Sequence, residues 1–242
     1  MFDPGELNYS KVRAYLNCPV SFKYKYIDYR REPFTPLSSL GVSLHKALES
    51  RRASAGSLEE LLSSYDDCWL TGGYVSAAEQ VEYYDKGKAL LETFWRRDAE
   101  RKTLTVCAEQ FFEFPYRRWR IKGTIDRIDR HPGGGHEIID YKTGPELRSD
   151  ADAAENLQLC IYALGAKNAL GIEPASLTIW QLYHDKLATA PYNPSQGEKT
   201  LEQFAKAGEG IAANDFSPRH EFCAICGYRH ACAKSANTLS PE

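Results

Sequence analysis

Several features that would set this chain apart from ordinary globular proteins are missing from its 242 residues. No apolar run is long enough to span a membrane, and the opening MFDPGELNYS lacks the basic start and apolar run of a secretion signal. The 33 Asp and Glu residues outnumber the 30 Lys and Arg residues, which excludes a basic protein that coats nucleic acid. No internal repeat and no Walker-type phosphate loop is present. We therefore expect a cytoplasmic protein without a membrane partner and without a helicase motor.

The order of the predicted elements favours an α/β fold. Helices are predicted over residues 40–52, 57–70 and 76–101, and strand patterns follow in LTVCAEQFFEF and RWRIKGTIDRIDR. The glycines of HPGGG (131–135) predict a hairpin, because no helix follows them. A helix over 153–170, the strand SLTIWQLYH with KLATAPY as its partner, and a helix over 197–213 complete the pattern. We expect a single domain over 1–242, with a helical part (1–101), an α/β core (102–195) and a helix with an irregular tail (196–242).

The stretch HEIIDYKTG, residues 136–144, places an acid and a base at the end of an apolar strand. Asp140 and Lys142 are two residues apart, so on a strand they face the same side. Asp126 lies near the end of the preceding strand, and the glycine hairpin would bring it towards Asp140. Two close carboxylates repel each other unless a cation lies between them, and hard oxygen ligands favour Mg²⁺ or Mn²⁺. A D-x-K pair on its own would instead be read as a surface ion pair.

The array GTIDRID, IIDYKTG and QLCIY resembles the PD-(D/E)XK nuclease superfamily, in its RecB-like branch. The resemblance implies a restriction-endonuclease-like core, a mixed central β-sheet flanked by helices, and Mg²⁺- or Mn²⁺-dependent hydrolysis of DNA. It also implies the site. The metal ligands would be His45 from GVSLHKALE, Asp126, Asp140 and the carbonyl of Tyr141, and the catalytic set would be Lys142, Asp126, Asp140, Gln158 and Tyr162. Glu109 matches an acid of the preceding strand without a clear role, and Asp129 is expected to be structural because it alternates to the other face.

The seven cysteines are an odd number, and three of them crowd into CAICGYRHAC near the end of the sequence. Cys223, Cys226 and Cys232 form a C-x2-C-x5-C run, and Cys18 is the candidate for a fourth thiolate. Thiolates in this pattern bind zinc or an iron–sulfur cluster. The pattern is similar to the [4Fe–4S] nuclease domains of AddB-type enzymes and CRISPR adaptation nucleases, which implies a [4Fe–4S] cluster that holds the tail against the N-terminal arm, with Zn²⁺ as the alternative. The other three, Cys68, Cys107 and Cys160, lie in apolar-patterned stretches and are expected in the core.

Residues 9–31 interleave cations with aromatic residues. The cations are Lys11, Arg13, Lys23, Lys25, Arg30 and Arg31. Cations follow phosphates and aromatic rings stack on unpaired bases, so this arm predicts an interface for single-stranded DNA. The competing interpretation is a solvated helix with a tyrosine-rich core face. Further positive charge near Asp126, in Arg117, Arg118, Arg120 and Lys122, is expected to steer DNA.

These patterns together predict a metal-dependent nuclease, acting as an exonuclease on single-stranded DNA or DNA ends. The expected setting is DNA repair and recombination or CRISPR spacer acquisition, beside a helicase or integrase partner, since the chain has no helicase motifs. The alternative is a non-catalytic DNA-binding or assembly subunit of a larger helicase–nuclease or integrase complex. The complete set of Asp126, Asp140 and Lys142 favours the enzyme.

Overall fold

The computed structural model describes residues 3–50 and 56–234. The chain forms two compact units, each assembled from separate segments. The terminal unit combines Met1–Pro33, Glu113–Gly123 and Glu198–Glu242, and the central unit combines Phe34–Phe112 and Thr124–Gly197. The single-domain organisation over 1–242, with divisions after residues 101 and 195, stays a prediction. None of the helices in the described ranges has the length and apolar character needed to cross a membrane.

The terminal unit begins with two short helices joined at Cys18. Strand β1 (Glu6–Leu7) pairs in parallel with the start of β3, and helices α1 (Tyr9–Asn17) and α2 (Pro19–Tyr26) follow it. Asn8 caps α1, since its side chain accepts a hydrogen bond from the Lys11 N–H at 2.8 Å. Pro19 suits the first position of α2, where a backbone N–H has no helical partner. Cys18 is both the C-cap of α1 and the N-cap of α2, and its backbone is extended.

Three helices of the central unit enclose an apolar core. They are α3 (Pro36–Ser50), α4 (Leu58–Cys68) and α5 (Ala77–Ala99). The predicted helix over 40–52 therefore begins four residues earlier, and its residues 51 and 52 lie outside the described residues. Leu44 of α3 and Phe94 of α5 pack in one buried cluster with Ile139 and Trp180. This contact fixes the helices against the strands that carry the acidic residues.

The strands form the mixed sheet that the sequence predicts. They are β2 (Leu104–Tyr116), β3 (Trp119–Arg130), β4 (His136–Lys142), β5 (Pro174–Gln181) and β6 (Lys186–Pro191). In the central unit β3 and β4 are antiparallel, β4 and β5 parallel, and β5 and β6 antiparallel, while β2 also pairs with β3. The predicted glycine hairpin is confirmed, and Gly134 and Gly135 adopt φ values of 89° and 83° that other residues rarely reach.

The predicted helix over 153–170 is wrong in one respect, because it is two helices. Helix α6 (Asp150–Glu155) ends before Asn156, and α7 (Leu157–Leu170) begins after it. The Asn156 side chain accepts hydrogen bonds from the N–H groups of Gln158 and Leu159, each at 3.0 Å, and so starts a new helix. The break places Gln158 in the first turn of α7, a helix that packs on β4 and β5. Helix α8 (Pro194–Ala212) completes the helices, and a short 3₁₀ helix (His220–Ile225) leads into the tail.

Candidate active site

Two buried aspartates meet where β3 and β4 leave the core of the central unit. The antiparallel register pairs Arg127 with Ile139, and its continuation sets Asp126 opposite Asp140. Asp140 is 0% exposed and Asp126 is 8% exposed. One oxygen of Asp126, Oδ2, accepts a hydrogen bond from the Tyr141 N–H at 3.0 Å. Asp126 and Asp140 therefore converge as the hairpin predicts, because the pairing of β3 with β4 places them side by side.

A single cation, Lys142, lies beside the two carboxylates of this pair. Burial and then repulsion from Asp140 raise the pKa of Asp126 well above its ordinary value, and the Tyr141 N–H and Lys142 only partly oppose this. Neither oxygen of Asp140 accepts a well-formed hydrogen bond, although Lys142 Nζ lies 2.5 Å from Oδ2. Buried polar atoms normally find a partner, so this pair has acceptor capacity to spare. Two buried carboxylates in this condition fit a hard divalent cation such as Mg²⁺ or Mn²⁺.

A chain of hydrogen bonds connects the predicted catalytic side chains. Lys142 Nζ donates to Gln158 Oε1 at 2.8 Å, and Gln158 Nε2 donates to the Tyr162 hydroxyl at 2.8 Å. Tyr162 in turn donates to Asp126 Oδ1 at 3.3 Å. Gln158 and Tyr162 are one helical turn apart on α7, which is why both reach the same strand ends. The chain fixes the ammonium of Lys142 and the carboxylate of Asp126 in one arrangement.

His45 reaches the same strand end from helix α3. It is half-buried, and burial lowers its pKa, while Asp140 and a hydrogen bond to the Tyr141 backbone act in the opposite direction. A neutral ring is the form that binds metals. Gly41, one turn earlier, lies so close to β4 that a Cβ there would be 2.9 Å from Thr143 Oγ1. The small residue therefore lets α3 approach closely enough for His45 to meet Tyr141.

Glu109 is the residue whose role the sequence leaves unclear. It lies within β2 with φ 50°, a left-handed conformation that costs free energy in a non-glycine residue. Burial, with repulsion from Glu49, raises the pKa of Glu109 to about 7, and its charge also acts on Asp126. Glu49 is exposed one turn after His45 on α3. The irregular backbone thus brings a third carboxyl group near the aspartate pair, and alternation along β2 gives no sign of it.

Asp129 has the structural position that strand alternation predicts. It is fully buried and receives two hydrogen bonds from Arg127, at 2.6 and 2.8 Å. Arg127 also contacts Asp98 at 2.7 Å, and Arg101 joins Asp129 to Glu137. Each carboxylate of this network accepts a hydrogen bond from a guanidinium group, whereas Asp140 accepts none.

The four cysteines of the predicted cluster line one small cavity of the terminal unit, which we call the cysteine cavity. Its members Cys18, Cys223, Cys226 and Cys232 are all half-buried free thiols around a volume of about 20 Å³. Burial raises the pKa of the Cys226 thiol, which a hydrogen bond from Ser21 partly offsets, and the Tyr24 hydroxyl lies 3.8 Å from Cys232 Sγ. The thiols suit zinc or an iron–sulfur cluster as donors. The volume of about 20 Å³ holds about one water.

The candidate ligand side chains of the described residues are not positioned at metal-binding distances from one another. Over residues 3–50 and 56–234, no three His, Cys, Asp or Glu side chains are grouped closely enough to hold an ion. Of the three cysteines expected in the core, Cys160 is buried as predicted, but Cys68 and Cys107 are only half-buried. The prediction of burial for Cys68 and Cys107 was wrong, because Cys68 is the last residue of α4 and Cys107 lies on the partly exposed strand β2.

The structure divides the six predicted DNA-binding cations into two groups. Lys11 donates to the carbonyls of Asp3 and Glu6, Lys23 pairs with Asp28 at 2.7 Å, and the Arg30 guanidinium lies 4.0 Å from the Tyr24 ring centre. Arg31 is exposed at the end of the arm. The other two, Arg13 and Lys25, line a polar cavity of the same unit.

The second basic cluster is neutralised by acids rather than free to attract DNA. Arg117 pairs with Glu202, Arg118 with Glu209, Arg120 with Asp3 and Glu6, and Lys122 with Glu6. These four cations belong to the terminal unit, and all but Lys122 are exposed. The steering role near Asp126 therefore loses its main support.

The chain belongs to the PD-(D/E)XK nuclease superfamily, whose family model matches residues 6–233. A search of curated proteins finds no match. Among solved structures, a protein of Eubacterium rectale named as a "putative exonuclease" is 11% identical, with a TM-score of 0.61, over 99% of this chain and 91% of its own. A second structure, SSO0001, is 15% identical over 96% of this chain and 88% of its own, with a TM-score of 0.44. At these identities the first likeness shows the fold alone, and it agrees with the restriction-endonuclease-like sheet and helices described above.

Proposed function

We propose that the chain is a divalent-metal-dependent deoxyribonuclease of the RecB-like branch, with Asp126, Asp140 and Lys142 at its catalytic centre. One observation carries the proposal. A fully buried carboxylate, Asp140, has no well-formed hydrogen bond, and it shares its strand end with a second carboxylate and a lysine. A purely structural buried carboxylate would accept hydrogen bonds, as Asp129 does from Arg127 at 2.6 and 2.8 Å.

The metal would be held by Asp126 and Asp140, with His45 and the Tyr141 carbonyl as the further candidate ligands. Bound there, Mg²⁺ or Mn²⁺ would supply the positive charge that polarises a phosphodiester and lowers the pKa of water. Hydrolysis adds a hydroxyl group from water to phosphorus and a proton to the leaving oxygen.

The remaining side chains position the metal ligand Asp126 and would stabilise the negative charge on the phosphate. Lys142 offers three N–H donors, of which Gln158 occupies one at 2.8 Å, so the ammonium points in a defined direction and keeps donors for a phosphate oxygen. Tyr162 and the Tyr141 N–H donate to the two oxygens of Asp126, which favours the ionised form needed of a ligand. Their geometry is in place before substrate binds, which is what electrostatic stabilisation of a transition state requires.

The test replaces Asp140 by Asn, which keeps the shape and removes the charge. Labelled single-stranded DNA is incubated with Mg²⁺ or Mn²⁺, and we expect cleavage to fall at least about 1,000-fold, because a principal ligand is lost. Asp67→Asn, an exposed aspartate of the same unit, is the matched control and should cut normally. Full activity of Asp140→Asn would overturn the proposal, and inactivity of the unmodified protein would favour the non-catalytic subunit.

We further propose that Cys18, Cys223, Cys226 and Cys232 hold a structural [4Fe–4S] cluster. Four free thiols around one cavity support a shared ligand, and the C-x2-C-x5-C spacing favours the cluster over zinc. Protein purified without oxygen should be brown and contain about four irons per chain. Zinc found in place of iron would replace the cluster but keep the structural role.

The proposed substrate is single-stranded DNA or a DNA end, cut as an exonuclease. Family membership supports action on DNA, and the interleaved cations and aromatic residues over 9–31 favour an unpaired strand. Linear and circular single strands of one sequence separate the modes of action. Degradation of the linear form alone supports the exonuclease, and equal loss of the circle would show endonuclease action. A helicase or integrase partner, the repair or CRISPR setting, and the cytoplasmic location remain predictions.

A further inference from the structure

A polar cavity of about 350 Å³ lies within the terminal unit, between helices α1 and α2 and the tail. We call it the basic groove. Its α1 wall presents Ser10, Arg13, Ala14 and Asn17, which are spaced as one helical face, and its α2 wall presents Ser21 and Lys25 one turn apart. The opposite face of α1 buries Val12 and Tyr15 in the core. The polar face of α1 therefore does not pack in the core. The volume of the cavity is at the lower end of the range for ligand sites.

The two cations of this groove, like Arg31 outside it, form no ion pair within the described residues. Both Arg13 and Lys25 are exposed. Tyr9 and Tyr26 lie beside them, with ring centres 5.8 Å from the Arg13 guanidinium carbon and 5.6 Å from Lys25 Nζ. Cations at ring faces keep their N–H groups for another acceptor. The N–H groups of Arg13 and Lys25 are therefore available to an acceptor from outside the chain.

One acid limits what the groove can accept. Glu32 is the sole carboxylate among the residues that line it, and it packs against Gly227 on the tail wall. Two cations against one carboxylate leave a single positive charge for a ligand. That balance suits one phosphodiester group and disfavours a doubly charged phosphate monoester.

The tail wall adds an apolar surface beside these charges. Phe222 and Ile225 line the groove, and Ile225 is 79% exposed, which is unusual for a large apolar side chain. A singly charged phosphate next to an apolar face describes one nucleotide step of an unpaired strand. We propose that the basic groove binds single-stranded nucleic acid, with one backbone phosphate between Arg13 and Lys25 and a base against the Phe222 and Ile225 wall. The inference rests on the proposed function for its choice of a strand over a small phosphodiester.

The experiment measures binding without cleavage. A labelled oligothymidine of roughly 15 nucleotides is titrated by fluorescence anisotropy in buffer without divalent cations. Arg13→Gln/Lys25→Gln should bind at least about tenfold more weakly, and the slope of log affinity against log salt should flatten by about 0.7, the value for one phosphate. Thermal melting of the variant should match that of the unmodified protein, since both side chains are exposed.

The matched control removes the same charge elsewhere in the terminal unit. Lys199→Gln/Lys206→Gln alters two exposed cations of α8 that do not line the groove, so affinity should change less than twofold. Equal losses in both double variants would overturn the groove, because general charge would then explain binding. An unchanged affinity of Arg13→Gln/Lys25→Gln would also overturn it.

Two further arms separate the ligand and the proposed function. Dimethyl phosphate should compete with the strand only weakly; competition as strong as that of a short oligonucleotide would overturn the strand in favour of a small phosphodiester. Ile225→Ser should weaken oligonucleotide binding without changing the salt slope, and no weakening would overturn the base contact. If the groove variant binds poorly and the unmodified protein does not cleave DNA, the nuclease proposal fails and the groove proposal stands. Normal cutting with unaltered binding in the groove variant would disprove the groove alone.

Discussion

The carboxylate site of the central unit lies on paired strands, whereas the cysteine cavity of the terminal unit lies where a helix junction meets an irregular tail. In the first, backbone register and a chain of hydrogen bonds from Lys142 to Asp126 fix the side chains. In the second, free thiols stand half-buried around a space of about 20 Å³. A site built on regular elements is organised in advance, while a site built on loops depends on its ligand for order. The two should therefore respond differently to the loss of one side chain.

The largest effect expected in this comparison is on catalysis. Lys142→Ala should slow cleavage by roughly 100- to 1,000-fold, because a positioned donor to the reacting phosphate is removed. Affinity for Mn²⁺, measured by calorimetry, should not fall, since an ammonium group cannot be a ligand and its removal frees Asp140. Melting temperature should stay within a few degrees. A parallel loss of Mn²⁺ affinity would mean that the carboxylates are not organised without the lysine.

The terminal unit should show the reverse behaviour. Cys18→Ser should lose the bound iron or zinc and lower the melting temperature by about 10 °C, since metal-binding free energy there is folding free energy. Cys107→Ser, a half-buried thiol outside the cavity, is the control and should keep its metal. Metal content and thermal unfolding measure both. Full retention of metal by Cys18→Ser would show that the fourth ligand is another residue.

A smaller change tests how closely the central site is fitted. Gly41→Ala places a methyl group 2.9 Å from Thr143 Oγ1, which should push α3 and His45 away from β4. We expect cleavage to slow about tenfold, with little loss of stability. Thr143→Ala removes the hydroxyl group that the new methyl group meets. In the Thr143→Ala background, Gly41→Ala should therefore slow cleavage less than it does in the unmodified protein. If Gly41→Ala slows cleavage equally in both backgrounds, the close approach does not position His45.

The smallest effect concerns stability and pH. The pKa of Glu109 is raised to about 7 from an ordinary value near 4.5, so the folded protein holds a proton that the unfolded chain releases. The penalty of ionising Glu109 is therefore absent below about pH 4.5, grows as the pH rises, and is complete above about pH 7. Glu109→Gln should be more stable than the unmodified protein at pH 8, and the gain should disappear at low pH. Urea unfolding without divalent cations measures it, and a gain independent of pH would contradict the assignment.

Much of the fold could be read from local patterns. Apolar alternation and the three glycines predict the β3–β4 hairpin, and with it the meeting of Asp126 and Asp140, because adjacent strands leave few other arrangements. The break at Asn156 was missed, since an apolar pattern continues across it and the capping side chain competes only locally. The left-handed backbone of Glu109, with φ 50°, could not be predicted either, because side-chain periodicity along a strand carries no information about a single positive φ.

The DNA-binding cations show why charge patterns predict a surface poorly. Arg120 appears free in the sequence, yet its partner Asp3 is 117 residues away. Lys23 and Lys25 look alike, but only Lys23 has Asp28 within reach. Which charges stay available is decided by tertiary contacts, so the basic groove could not be separated from the rest of the arm before the fold was known.

The interleaving of the two units has a consequence for synthesis of the protein. All segments of the central unit precede residue 198, while the metal site proposed for the terminal unit would need Cys223, which follows Cys18 by 205 residues. At about 5–20 residues per second, the ribosome delivers that partner roughly 10–40 s later. The strand ends that carry Asp126 and Asp140 can thus assemble first, and Cys18 waits unpaired through most of translation. Iron or zinc supply, and the oxidation state of the cell during that interval, would then set the yield of complete molecules.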